Sequence, residues 1–449
     1  MNKDANIDAK IEELVGLVSE HSEHIKGLKD ADQEEHAKKD IELLENMRGR
    51  PLFYPYLGSG IGKGCYVETN DGAVKMDLIN GIGINIFGHS HPEIMKAAVK
   101  GAVQDVVMQG NLEPGDEMVR VSEKLVEIAT RKSRLKHCWL TTSGSMANEN
   151  ALKMCRQKTG AARMVIAMRA AFAGRTTMMA EVTDNPSMRE GLPEYNEILR
   201  VPFYDKNNPN STEEATQILK EHIEKHKGNI AGFIFEPIQG EGGYNVAPRE
   251  FFVPLLEMCR DNGIPVWADE IQTFCRTGEF FAFDKLQLSE YIDICTVAKT
   301  LQAAATLYTE ELNPKPGLIA GTFAGSSAAL SAGRKILDIL DTEDYMGPKG
   351  KVESIHKEFV GMLNELNEGS CKGLLQDAGG MGLMVAVTPL DGTKESMIKV
   401  LKALYKNGII SFGCGRGPFR VRFLIPAVMT SDDIQVAKKV IEKSILELA

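Results

Sequence analysis

The chain has 449 residues, 43% of them hydrophobic and 25% charged, with a formal net charge of −10. That length exceeds one ordinary core and predicts two or three structural units in a globular chain of unexceptional composition. The acidic balance excludes a general electrostatic footprint for nucleic acid, leaving only local basic patches, and no apolar run reaches the roughly 18 residues of a membrane span.

Residues 1–50 predict a charged helical N-terminal arm. Ile7, Ile11, Leu14, Val18, Ile25 and Leu28 fall at helical spacing. Gly27 and the polar stretch 30–39 break the pattern, and a second short helix is expected near 41–47. The arm is expected to pack on the body or on a partner subunit, with His21, His24 and His36 at the surface. Residues 51–90 form a segment that joins the small domain. Within it, 62–77 reads as two short strands joined at Asn70-Asp71-Gly72, an Asp-Gly turn. A Gly-rich loop follows over 81–92, before a helix starting near Pro92.

Residues 91–325 carry the pattern of a large, mostly parallel sheet covered by helices. Its apolar runs are 137–141, 164–168, 230–235, 265–268 and 292–297, and its helical stretches include 145–158, 213–227 and 249–262. Residues 326–449 read as a smaller α+β domain: a helix through Leu340, another near 352–366, short strands, and a final helix over 431–448. The eight cysteines are scattered without a C-x-x-C pair, which argues against a structural zinc site or a disulfide framework. No apolar signal core follows Met1, and the expected location is the cytoplasm.

In such sheets ligands bind beyond the carboxyl ends of the strands, and the chemistry-bearing residues all follow the apolar runs. Asp269 ends one run and Lys299 follows the next. Pyridoxal phosphate needs that pair: a fixed carboxylate for its ring nitrogen and an amine for its aldehyde. A magnesium site is the competing reading of Asp269 and Glu270, and Lys299 alone reads as an ordinary exposed lysine. Ser143-Gly144-Ser145 opens a helix after a strand, where free N–H groups and hydroxyls suit a phosphate. The plain alternative is a helix cap. Phe172 can stack on a planar ring and Arg175 can grip a carboxylate, although taken alone the segment reads as a core Phe and a surface Arg. Glu236 and Glu241 lie on one short loop, which disfavours a glycosidase-like acid pair.

These residues carry a resemblance. From about Pro51 onward the chain resembles the class III pyridoxal-phosphate aminotransferases of the acetylornithine, ornithine and 4-aminobutyrate type. The matching stretches are Gly88-His-Ser-His-Pro92, Ser143-Gly-Ser-Met-Ala-Asn-Glu149, Gly174-Arg-Thr176, Glu236-Pro-Ile-Gln-Gly-Glu241, Ala268-Asp-Glu-Ile-Gln-Thr273 with Arg276-Thr-Gly278, the Lys299 segment, Gly321-Thr-Phe-Ala-Gly-Ser326 and Val421-Arg-Phe-Leu-Ile-Pro426. The resemblance implies fold type I and a homodimer with shared active sites. It implies that Lys299 forms the Schiff base with the cofactor and moves the substrate proton, and that Asp269 pairs with the ring nitrogen. Gln272 would lie near the phenolic oxygen, Ile271 under the ring and Phe172 on its other face. Gly144 and Ser145 would hold the phosphate, helped by Thr322 of the second subunit. Arg422 resembles the anchor of the substrate α-carboxylate, Glu241 the residue that masks it, and Arg175 a second carboxylate anchor.

The implied reaction moves an ω-amino group from a donor such as acetylornithine, ornithine, 4-aminobutyrate or lysine to 2-oxoglutarate, giving glutamate. An aminomutase, racemase or decarboxylase on the same scaffold, a catalytically idle relative, and a metal-dependent hydrolase using Glu236, Glu241 and Asp269 are the alternatives. The chain departs from the family pattern at Ala173 (usually His), Met146 (usually Glu), the glycine-free Thr-Phe-Cys after Gln272, Ala303-Ala-Ala305 (usually glycines), and the missing proline near Ser326. These departures bear on the substrate more than on the chemistry.

Overall fold

The computed structural model describes residues 3–105 and 108–449. The chain divides into two compact units, Lys100–Gly350 and a second made of the residues up to Val99 with Lys351–Ala449.

The larger unit is built on a seven-stranded sheet. In spatial order its strands are His137–Thr141, Ala304–Tyr308, Ile294–Val297, Val266–Asp269, Ile230–Phe235, Met164–Met168 and Ile198–Val201. Neighbours run parallel, except that Ala304–Tyr308 is antiparallel to both strands beside it. The central strands are wholly buried, which is why they read as unbroken apolar runs. The sequence reading omitted Ile198–Val201 and Ala304–Tyr308. The first is an alternating edge strand, and the second begins in the alanines that replace glycines.

Helix Gly144–Lys158 packs on this sheet through Ala147, Asn148, Ala151, Leu152 and Cys155. Helix Ser327–Thr342 packs on Asp116–Thr130, and three ion pairs tie them: Lys124–Asp341 at 2.7 Å, Arg131–Asp341 at 2.5 Å and Arg334–Glu117 at 3.2 Å. Helix Ser327–Thr342 thus lies within the larger unit, which ends at Gly350.

In the smaller unit, Tyr66–Thr69 and Val74–Asp77 pair across the expected turn, where Gly72 takes φ 81°. Gly58–Lys63 and the parallel strand Ile409–Ile410 complete that sheet. A second sheet runs Leu375–Met381, Met384–Pro389, Arg420–Leu424, Phe412–Cys414, and helices Lys351–Glu368, Lys394–Asn407 and Ser431–Leu446 belong to the same unit. The arm forms helices Lys3–His21 and Glu34–Arg48. The second starts well before residue 41 because Glu34 and Glu35 suit a helix N-terminus despite their polarity. Lys29 and Val74 exchange backbone hydrogen bonds, and Glu23–Lys63 and His24–Glu68 lie at 2.7 Å, so the arm packs on this unit. His21 and His24 are exposed, while the side chain of His36 lies outside the described set. Among the described residues no helix is long and apolar enough to cross a membrane.

Candidate active site

Several of the expected residues lie at the carboxyl ends of the central strands. Asp269 closes its strand level with Thr296 of the next one. It is 4% exposed; Oδ2 accepts from Asn148 Nδ2 at 2.8 Å and Oδ1 from the Ile271 amide at 3.0 Å. Burial pushes its carboxyl up to about 6, against the pull of those donors and of the Lys299 cation. A carboxylate held in this way favours a cationic partner.

Lys299 opens the short 3-10 helix Lys299–Leu301 directly after strand Ile294–Val297. It is half-buried and has φ 52°, with Gln302 at φ 60°. A left-handed lysine costs on the order of 1–3 kcal/mol and persists only where surrounding structure enforces it, so the turn itself sets the direction of the amine.

Helix Gly144–Lys158 opens at the end of strand His137–Thr141. Ser143 caps it, its hydroxyl oxygen accepting from the Met146 amide at 3.3 Å. A Cβ on Gly144 would come within 2.8 Å of the Ile271 side chain, and one on Gly174 within 2.3 Å of Ser145 Oγ. Ser145 Oγ also accepts from the Arg175 amide at 3.2 Å, which leaves its own proton to donate outward. The helix N-terminus, Ile271 and the Phe172–Arg175 loop are thus one packed group, with unused amide donors and a serine hydroxyl at a positive helix end. An anionic phosphate fits that donor set.

Phe172 is fixed by its amide, which donates to Glu236 Oε1 at 2.9 Å, and the Arg175 guanidinium lies 5.6 Å from its ring centre. Glu236 Oε2 takes the Gly240 amide at 2.8 Å. Burial, then the nearby Asp269, pushes Glu236 up to about 8. The following loop folds back as the pair Ile238–Gln239 and Asn245–Val246, which sets half-buried Glu241 in its turn. Gln272, 7% exposed, packs against Gly240, where a Cβ would approach its Oε1 to 2.8 Å. That Oε1 is buried with no partner among the described residues. Such an atom costs about 1–3 kcal/mol unless something completes it. Asp269, Lys299, the Ser145 cradle and the incomplete Gln272 amide together fit pyridoxal phosphate.

Thr322 is exposed and lies against Gly110, where a Cβ would come within 1.9 Å of the Thr322 carbonyl oxygen. Arg422 belongs to the smaller unit. It is fully buried on strand Arg420–Leu424, opposite Ala386 and Phe412, with its guanidinium 5.6 Å from the Phe412 ring centre.

Sequence reasoning left Asn148 and Thr296 without roles and gave Glu236 no supporting one. Each is a buried polar residue, and such residues need internal partners. Among the departures, Ala173 is buried at 2% exposure, its carbonyl taking Asn148 Nδ2 at 2.7 Å. Met146 is 38% exposed, and Ala304 and Ala305 are buried strand residues.

The profile of the class-III aminotransferase family matches residues 58–445. An acetylornithine aminotransferase of Aquifex aeolicus is 30% identical over 399 residues, covering 85% of this chain and 95% of that one. A 5-aminovalerate aminotransferase of Pseudomonas putida is 29% identical over 418 residues, covering 86% and 93%. The solved structure of a lysine aminotransferase from M. tuberculosis superposes with a TM-score of 0.79 at 21% identity, covering 91% of this chain and 100% of that one, a likeness of fold. The chain belongs to the class III aminotransferases, pyridoxal-phosphate-dependent enzymes of fold type I that transfer an amino group from a donor to a keto acid.

Proposed function

We propose that this enzyme transfers a terminal amino group from an ω-amine donor, of the acetylornithine, ornithine, 4-aminobutyrate or lysine kind, to 2-oxoglutarate. The observation that carries the site assignment is the buried, doubly hydrogen-bonded Asp269 beside the strained Lys299 turn. Pyridoxal phosphate, when bound, supplies the electron sink that stabilises a carbanion at the substrate carbon. Asp269 keeps the ring nitrogen protonated. Lys299 Nζ takes the proton from the amine-bearing carbon and returns one. The amides at Gly144 and Ser145, with the Ser145 hydroxyl, hold the phosphate, and the exposed Ser143 hydroxyl lies at the same helix end. Phe172 and Ile271 confine the ring, and Gln272 completes its amide on the ring oxygen.

Arg422 takes the α-carboxylate of the acceptor and Arg175 the distal one. Glu241 is the proposed gate that admits a donor without a nearby carboxylate. Retention of both arginines and of Glu241 supports a dicarboxylate acceptor. The working form in this reading is a homodimer, with Thr322 of a second copy closing the phosphate site, in the cytoplasm. Eight free cysteines are compatible with a reducing compartment.

The test is the visible spectrum of the cofactor-loaded protein with a panel of amines. One ω-amine should bleach the cofactor band, and 2-oxoglutarate should restore it. A band that no amine bleaches, or that 2-oxoglutarate fails to restore, would reject this reaction.

A further inference from the structure

Four side chains make one directed chain of hydrogen bonds that ends on Asp269. Trp267 Nε1 donates to Thr296 Oγ1 at 3.2 Å, Thr296 Oγ1 donates to Asn148 Oδ1 at 2.7 Å, and Asn148 Nδ2 donates to Asp269 Oδ2 at 2.8 Å. Their exposures are 1%, 0%, 0% and 4%. The sheet explains why they meet. Trp267 and Asp269 are two apart on one strand and share a face, and Thr296 is the register partner of Asp269 on the next. Helix Gly144–Lys158 covers these strands and supplies Asn148 from its buried side.

The direction of the chain follows from its first member. An indole N–H donates and cannot accept. The Thr296 hydroxyl takes that bond, so its own proton goes to Asn148. The Asn148 carbonyl is thereby turned towards Thr296 and its amide nitrogen towards Asp269. The second N–H of that amide is closed by the Ala173 carbonyl at 2.7 Å. The flipped amide would set its oxygen against two acceptors, the Ala173 carbonyl and the Asp269 carboxylate. With the Ile271 amide on its other oxygen, Asp269 receives a donor at each oxygen, an arrangement that favours the anion.

We propose that Trp267, Thr296 and Asn148 form a polarity relay that holds Asp269 as an anionic acceptor towards the cofactor's ring nitrogen, with Thr296 a positioning residue that acts through Asn148. The inference rests on the reading above that Asp269 faces that nitrogen. The other titratable groups facing Asp269 divide in their effect. Lys299 favours its anion. Glu236, at the end of the adjacent strand, disfavours a second charge, and the Cys295 thiol on the other side is buried and neutral. Burial also opposes the anion, so the relay, the Ile271 amide and Lys299 together set how readily the carboxylate charges.

Thr296→Val removes the hydroxyl at nearly constant volume, and Thr296→Ser keeps it. The measurement is the titration of the Asp269 carboxyl by carbon-13 NMR in cofactor-free protein, assigned with Asp269→Asn. Pyridoxal-phosphate affinity by fluorescence is the second readout. Thr296→Val should raise the midpoint by about one pH unit, a tenfold change in proton affinity, and weaken cofactor binding at neutral pH. Thr296→Ser should restore both. A parental midpoint and affinity in Thr296→Val overturns the relay. If that variant does not fold, Trp267→Phe removes the leading N–H while keeping a ring in the core. It should shift the midpoint the same way, and an unchanged midpoint again overturns the relay. Failure of the underlying reading looks different: Asp269→Asn would then keep the parental cofactor affinity and activity, whatever Thr296 does.

Discussion

A lysine at φ 52° occupies a backbone region where glycine would sit without strain. In the proposed reading an amine is kept there because Lys299 carries the cofactor's Schiff base, and the position directly follows strand Ile294–Val297. Lys299→Ala should therefore abolish turnover. It should also prevent borohydride from fixing the cofactor to the chain, read by intact mass; covalent label on the alanine variant would remove Lys299 from its role. Arg422 is read the same way. A buried guanidinium that grips a carboxylate contributes roughly 1.5–3 kcal/mol. Arg422→Ala should raise the 2-oxoglutarate KM by the corresponding factor, about 10- to 150-fold, and leave the donor half-reaction much less affected. Equal 2-oxoglutarate kinetics in variant and parent would exclude it. The places of Asp269 and Lys299 at the ends of buried strands were legible in the sequence, because each closes an apolar run. Asn148 and Thr296 were not, because a buried amide or hydroxyl declares its purpose only through the partner that tertiary packing brings to it.

At the scale of elements, the proposed phosphate cradle depends on two segments fitting closely. Gly174 has φ 134°, and any Cβ there would meet Ser145 Oγ at 2.3 Å. Gly174→Ala should push the Phe172–Arg175 loop off the start of helix Gly144–Lys158, with strain on the order of 1–3 kcal/mol. Pyridoxal-phosphate affinity should fall by roughly 5- to 150-fold, while affinity for pyridoxal without its phosphate changes little. Equal losses for both ligands would mean that the loop supports the ring instead. The helix start itself could be read from Ser143-Gly144-Ser145, since cap chemistry is local. The antiparallel strand Ala304–Tyr308 could not, because an alanine-rich run of five residues carries no period that separates strand from loop. Helix Ser327–Thr342 shows the same limit. Its apolar face was legible, but the ion pairs that place it on Asp116–Thr130 join residues about 200 positions apart.

Across the molecule, the larger unit stores several carboxyls whose burial opposes charge. Glu236 is pushed up to about 8, Glu270 to about 7, and Asp269 and Asp284 to about 6, burial being the leading cause in each. Such a group keeps its proton in the folded state at a pH where the unfolded chain has lost it. The folded state then binds more protons, so stability falls as pH rises. The contribution is complete below the ordinary carboxyl range, near 4, and is lost as pH climbs through about 6 to about 8. Asp341 acts oppositely: Arg131 and Lys124 hold its carboxyl well below the usual range, so its contribution is present above about 4 and is lost only in stronger acid. The cofactor-free protein should therefore melt at progressively lower temperature between about pH 5 and pH 8. Glu236→Gln keeps an uncharged group at that position and should flatten the upper end of this profile, by an amount on the order of a few kcal/mol. Cofactor should flatten the lower end, because a cationic ring nitrogen beside Asp269 removes the cost of its charge. Thermal melts at four pH values, with and without pyridoxal phosphate, separate the two effects. A parental melting temperature that rises across this range would mean that Glu236 and Asp269 are ionised in the folded chain at little cost, and the electrostatic account of the site would fail with them.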